Sequence, residues 1–249
     1  MRRRTHIAAG IGIAAALAVA GFTVADFTDR ASAQRRPVEL TEADDRLPST
    51  TATDWVTYAD HVVVVNAASE QTIPPNQTDV ERGEGLIGRK VSLEVKNVLW
   101  SREGAAQPAP KEWEYYATGW TFTNRDVNNP TVLAGEGRPR IEPGHQYILA
   151  IAWEGPRCAE GDAPEPGRWM GLGEGSELPF DGDVIGQGEM EGRTQSVAEA
   201  RTAAAEADPN IGLEEEMVGN NADALAAKLK ATPPGERQQF GPQATASCG

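Results

Sequence analysis

Cysteine and histidine are scarce: the 249 residues hold two cysteines, Cys158 and Cys248, and three histidines. With no C-x-x-C pair, dithiol redox chemistry and a zinc ribbon lose the thiols they need. H-E-x-x-H and the G-x-S-x-G elbow are absent as well, so zincin and serine-hydrolase chemistry have no support. His61 flanks an apolar run and His145 sits in a turn, and both read as structural or surface residues. Positive charge is also short, with 23 Lys and Arg against 37 Asp and Glu, a formal charge of −14. Such a surface repels phosphate backbones and anionic lipid, which disfavours nucleic-acid binding. Cationic partners and divalent metals stay compatible with it, and solubility is the plain reading.

Long hydrophobic runs are missing except for one. Arg2, Arg3 and Arg4 precede 19 apolar or small residues, Ile7 to Ala25, and Ala31-Ser32-Ala33 offers the small-x-small pattern of a cleavage site. Residues 1–33 therefore read as a signal peptide and the protein as secreted. The alternative is an uncleaved membrane anchor, but only seven of the 19 are Ile, Leu, Val or Phe, a weak span. No Cys follows the run, so a lipoprotein is excluded. Removing 1–33 takes 4 of the 23 basic and 2 of the 37 acidic residues, leaving 19 against 35, or −16.

In an exported chain the two cysteines most economically form one disulfide, Cys158 to Cys248. Closing a loop of about 90 residues stabilises by roughly 4–5 kcal/mol on chain-entropy grounds. Free or intermolecular thiols are the alternative.

All six tryptophans and all four tyrosines lie between residues 55 and 169, and Phe180 closes the cluster. Residues 34–52 are polar, with Pro37 and Pro48, and read as a flexible tether. The β domain is expected over 53–193 and a helical C-terminal extension over 194–249, tied back by the disulfide.

Within the aromatic block the period is two. His61 to Val65 is a β-branched run suited to burial on both faces, entered through a helical turn at Asp54 to Ala59. Lys90 to Val95 alternates, and the phase slips at Lys96-Asn97 as a β-bulge requires. Trp113 to Phe122 is interrupted at Gly119; Tyr147, Leu149, Ile151 and Trp153 share one face of a strand announced by Glu142-Pro143-Gly144. In the tail, Thr194 or Ser196 caps a helix to about Ala207, and Asn221 opens another through Lys230, stopped by Pro233-Pro234. The fold expected is mainly β, a small antiparallel barrel or sandwich with C-terminal helices packed on it.

The segments Y-A-D-H-V-V-V-V (58–65), G-R-K-V-S-L-E-V-K-N-V-L-W (88–100) and I-E-P-G-H-Q-Y-I-L-A-I (141–151) resemble secreted actinobacterial proteins of unknown function. More distantly they resemble the OB-like barrel of netrin-like and metalloproteinase-inhibitor modules. The resemblance covers roughly residues 55–155 and implies an OB-like barrel. The inhibitor modules chelate zinc through an N-terminal Cys; a mature chain beginning near Gln34 has none, so that mechanism does not carry over.

Gly83-Glu84-Gly85-Leu86-Ile87-Gly88 spells a dinucleotide fingerprint, but it leads into a strand instead of opening a helix, so it reads as a loop. Residues 154–191 hold ten Asp or Glu, and within them Asp181-Gly182-Asp183 is a candidate Ca²⁺ site through Asp181 and Asp183, with a solvated turn as the plain reading. Two functions stay open. The first is a non-enzymatic binding or cell-envelope-associated module presenting loops and aromatics to a protein or glycan, with no cofactor. The second is a secreted hydrolase using a carboxylate pair, with Ca²⁺ as an assistant, which requires a cleft holding two acids in unequal environments.

Overall fold

The computed structural model describes residues 37–42, 46–158, 164–207, 212–238 and 240. The expected signal peptide and Cys248 lie outside them, and with Cys248 the Cys158 to Cys248 pairing. Among the described residues no helix is long and apolar enough to cross a membrane. In chain order the elements are β1 (Val38–Thr41), α1 (Ala52–Tyr58), β2 (His61–Ile73), α2 (Gln77–Arg82), β3 (Gly85–Ser101), β4 (Glu112–Phe122), β5 (Thr131–Gly135) and β6 (Gln146–Glu154). Beyond β6 lie β7 (Arg168–Gly171), β8 (Glu177–Pro179), β9 (Gly188–Met190), β10 (Arg193–Gln195), α3 (Val197–Glu206), α4 (Leu213–Met217) and α5 (Ala222–Ala231).

The protein is mainly β, and three of the five helices, α3 to α5, follow one another at the C-terminal end. One sheet runs β1-β5-β4-β3-β2-β6-β7, with β8 also beside β6, and β9 and β10 form a separate hairpin. Every pair is antiparallel except β1 with β5, where Val38 to Thr41 lies parallel to Val132 to Gly135. The sheet curls, yet among the described residues no ladder joins β1 to β7, so the barrel is open.

Two-sided burial of β2 organises the core. Val63, Val65 and Ala67 point into the curl with Val91, Leu93, Tyr147, Leu149 and Ile151. Val62 and Val64 point the other way, against Trp55, Leu213, Met217, Leu225 and Leu229. This is why the His61–Val65 run carries no polar alternation. The bulge falls where the phase slip puts it: Val64 pairs with Asn97 and Val65 with Val95, skipping Lys96. Such irregularities increase local twist and help so long a strand coil. At Gly119 a Cβ would lie 2.0 Å from the Ile87 carbonyl oxygen, so only glycine passes there.

The helices follow their caps. Thr51 and Asp54 make a capping box at α1, Ser196 and Glu199 another at α3, and the Asn221 side chain accepts from Ala224 N at α5. Leu225 and Leu229, four apart, dock α5 on the outer face of the sheet. The five-residue α4 has no counterpart in the sequence reading, because Leu213 and Met217 are its only apolar residues.

One expectation needs correcting. The 34–52 stretch is not uniformly a tether: Val38–Thr41 is a strand, and Ser49 is buried, its carbonyl accepting the Trp55 indole N–H at 2.6 Å. Strand pairing uses backbone groups, which polar composition does not report.

Candidate functional site

Five charged side chains lie almost wholly inside the fold: Asp60, Arg89, Arg140, Glu177 and Glu189. Three of them fix the segment between β5 and β6. The Glu189 carboxylate accepts from Arg140 N (3.0 Å) and Gly192 N (2.7 Å) on Oε1, and from Ile141 N (3.0 Å) and Tyr147 Oη (2.8 Å) on Oε2. Arg89 donates to Thr118 O at 3.1 Å, Glu70 Oε2 at 2.7 Å and the Arg140 carbonyl. Arg140 donates to Leu133 O, Gly119 O and Glu142 Oε1 and lies over the Trp120 ring, 4.9 Å from its centroid. Between these clamps Ile141 sits buried at φ +61°, a conformation that costs a β-branched residue about 1–3 kcal/mol and persists only where its surroundings impose it.

The same segment carries Arg138 to a second buried cluster. Tyr115 of β4 donates its hydroxyl to Glu177 Oε1, and Arg138 Nη2 donates to Glu177 Oε2 at 3.1 Å. Burial raises the Glu177 carboxyl against the pull of Arg138, and raises the Tyr115 phenol well above its ordinary value, with the Glu177 charge adding to it. Glu177 in turn holds the Arg138 guanidinium in its charged form. These three groups form the floor of a pocket of about 210 Å³ between β4 and β7, walled by Trp169, Met170 and Tyr116. Tyr116 alternates with Tyr115 along the strand and is 63% exposed.

Arginine crowds the pocket's rim. Glu154 accepts from Arg46 Nη2 at 2.8 Å, from Arg157 Nη2 and from Arg168 Nε at 2.9 Å. Burial works to raise the Glu154 carboxyl, but the three guanidiniums together hold it below its ordinary value. Arg46 and Arg168 both line the pocket. Of the acids that line it, Glu177 has both oxygens engaged and Glu114 is tied to Lys90 Nζ at 2.7 Å.

The candidate metal residues lie elsewhere. Asp181 Oδ2 meets His145 Nδ1 at 2.5 Å and its Oδ1 accepts from Gln146 N at 2.8 Å, so both oxygens brace the turn before β6. Asp183 faces a separate open cavity of about 450 Å³ beside Lys96, Asn97 and Asp223. Among the described residues no three His, Cys, Asp or Glu side chains group as metal ligands. His61 is structural: Nε2 donates to Gln107 O at 2.9 Å, which leaves Nδ1 to accept from Ser101 Oγ at 2.8 Å. Gly83 ends α2 at φ +91° and Gly85 starts β3, a helix-to-strand turn, the reverse of a dinucleotide loop.

Sequence reasoning missed the buried charges, although one signal was present. Arg89 has the same parity as Val91 and Leu93, so strict alternation places it on the inner face. Glu177 and Glu189 lie in three-residue strands too short to carry a period. No family model, curated protein or solved structure matches this chain, so its site stands on its own geometry.

Proposed function

We propose that this is a secreted, non-enzymatic binding module, working at or outside the cell envelope, whose ligand seats in the pocket between β4 and β7. The observation that carries the reading is the closed Tyr115–Glu177–Arg138 floor under an aromatic and arginine rim. A floor in which Tyr115 Oη and Arg138 Nη2 close on both Glu177 oxygens preorganises walls for a ligand and keeps the binding cost low. Export rests on the Arg2–Ala33 segment, and the Cys158 to Cys248 disulfide is part of the same proposal. The carboxylate-dependent hydrolase has less support: of the two acids that line the pocket, Glu177 has both oxygens engaged and Glu114 is paired with Lys90.

The test is a thermal-shift series on the purified protein with a glycan and peptide panel, repeated on Trp169→Ala. A ligand that raises Tm in the parent and not in the variant supports the reading. Release of reducing ends from any glycan in the panel would replace it with the hydrolase.

A further inference from the structure

We infer that the pocket takes a single carboxylate-bearing sugar ring, the uronic acid residue of an acidic polysaccharide. This rests on the binding reading above and names its ligand class.

The local charge favours an anion. On a chain of formal charge −14, three guanidiniums converge on one carboxylate, Glu154, so among the described members of that cluster the cations outnumber the acid they share. Among the described residues Arg46 spends only Nη2 and Arg168 only Nε on that carboxylate, so most of each fork is left for a ligand. The two acids that line the pocket do not oppose an anion: Glu177 is sealed under Tyr115 and Arg138, and Glu114 is paired with Lys90. A guanidinium fork matches the two oxygens of a carboxylate.

Size and shape favour one ring. About 210 Å³ is below the roughly 300–1,000 Å³ of drug-sized pockets. Tyr116, 63% exposed at the mouth, offers a flat amphipathic face for the C–H side of a sugar. A peptide strand does not fit. β4 and β7 approach within 8 Å between Cα atoms, whereas inserting a strand needs two spacings of about 4.8 Å.

The experiment is a titration of the purified protein with trigalacturonate, followed by tryptophan fluorescence and calorimetry. Parallel arms use its methyl ester, a sulfated disaccharide and a peptide with a free C-terminus. The acid binds, and the uncharged ester binds at least about ten-fold more weakly, the loss expected for one charge-assisted hydrogen bond. Arg168→Gln weakens the acid by about the same factor and leaves the ester unchanged, while Tyr116→Ala weakens both. Both side chains lie at the surface, and unchanged Tm in the variants confirms that they fold. Equal binding of acid and ester, or an Arg168→Gln variant that binds the acid normally, overturns the inference. Preference for the peptide or the sulfated sugar overturns it too but leaves the binding module standing. If no probe binds and the wider panel is also silent, both fall.

Discussion

Replacing Glu189 by Gln changes one atom and removes a charge, and the four hydrogen bonds at that carboxylate set the cost. A carboxylate accepts on both oxygens; an amide accepts on one and donates on the other. With Nε2 in the place of Oε2 it faces the Ile141 N–H, which keeps no acceptor; flipped, it faces both Arg140 N–H and Gly192 N–H. The better orientation therefore strands one buried donor, at about 1–3 kcal/mol, and turns the bonds on the other oxygen from charge-assisted to neutral, at about 0.5–1 kcal/mol each. The sum is about 3 kcal/mol, or a Tm lower by about 6–12 °C for a chain of this size. Urea unfolding measures it directly as a lower midpoint at constant slope. Tyr147→Phe removes a donor to the same carboxylate and the acceptor of Glu142 N, and is expected to cost about 1–2 kcal/mol. The double variant should lose less than the sum, because both changes act on one network. A loss below about 0.5 kcal/mol for Glu189→Gln would refute the claim that this carboxylate holds the 138–142 segment.

Glu214 is half-buried beside Ala200, Ala203 and Ala204, and burial, helped by the Glu215 charge, pushes its carboxyl up to about 8. The folded state then keeps a proton that the unfolded chain releases above its ordinary value of 4.5, so stability declines as pH rises from about 4.5 to 8. Fully buried, such a shift is worth about 4–5 kcal/mol across that window; partial exposure brings it to about 2 kcal/mol, and Glu214→Gln should flatten the profile of urea midpoint against pH by that amount. Gly119→Ala puts a Cβ against the Ile87 carbonyl and should lower Tm by several degrees, or prevent soluble expression; a Tm equal to the parent's would show that β3 and β4 separate freely there. Because Asp181 already serves His145 and Gln146, millimolar Ca²⁺ should leave the Tm unchanged, whereas saturation at 100 times Kd would add about 2.7 kcal/mol. A clear upward shift with Ca²⁺ would restore Asp181 and Asp183 as ligands.

Much of the fold is legible residue by residue. Alternation over Tyr147 to Trp153 gives the inner face of β6, the slip at Lys96 gives the bulge, and Ser196 and Asn221 give two helix starts. Each is a local rule, satisfied by side chains close in sequence. The parallel β1, the open seam and the pocket obey no local rule. They depend on backbone groups meeting across more than 90 residues, as Val38 does Val132.

By itself the sequence determined the type and inward face of the longer elements, β2, β3, β4, β6, α3 and α5, because hydrophobic period and capping act within one turn or one strand. It also determined the acidic surface, and it carries the segment on which the export proposal rests. Only the tertiary structure decided that Glu177 and Glu189 are buried. Glu177 and Glu189 look like any of the 37 acids until four donors from three separate segments close on Glu189, and Tyr115 and Arg138 close on Glu177. A buried charge is tolerated only when distant groups converge to satisfy it, and convergence in space leaves no mark on the chain.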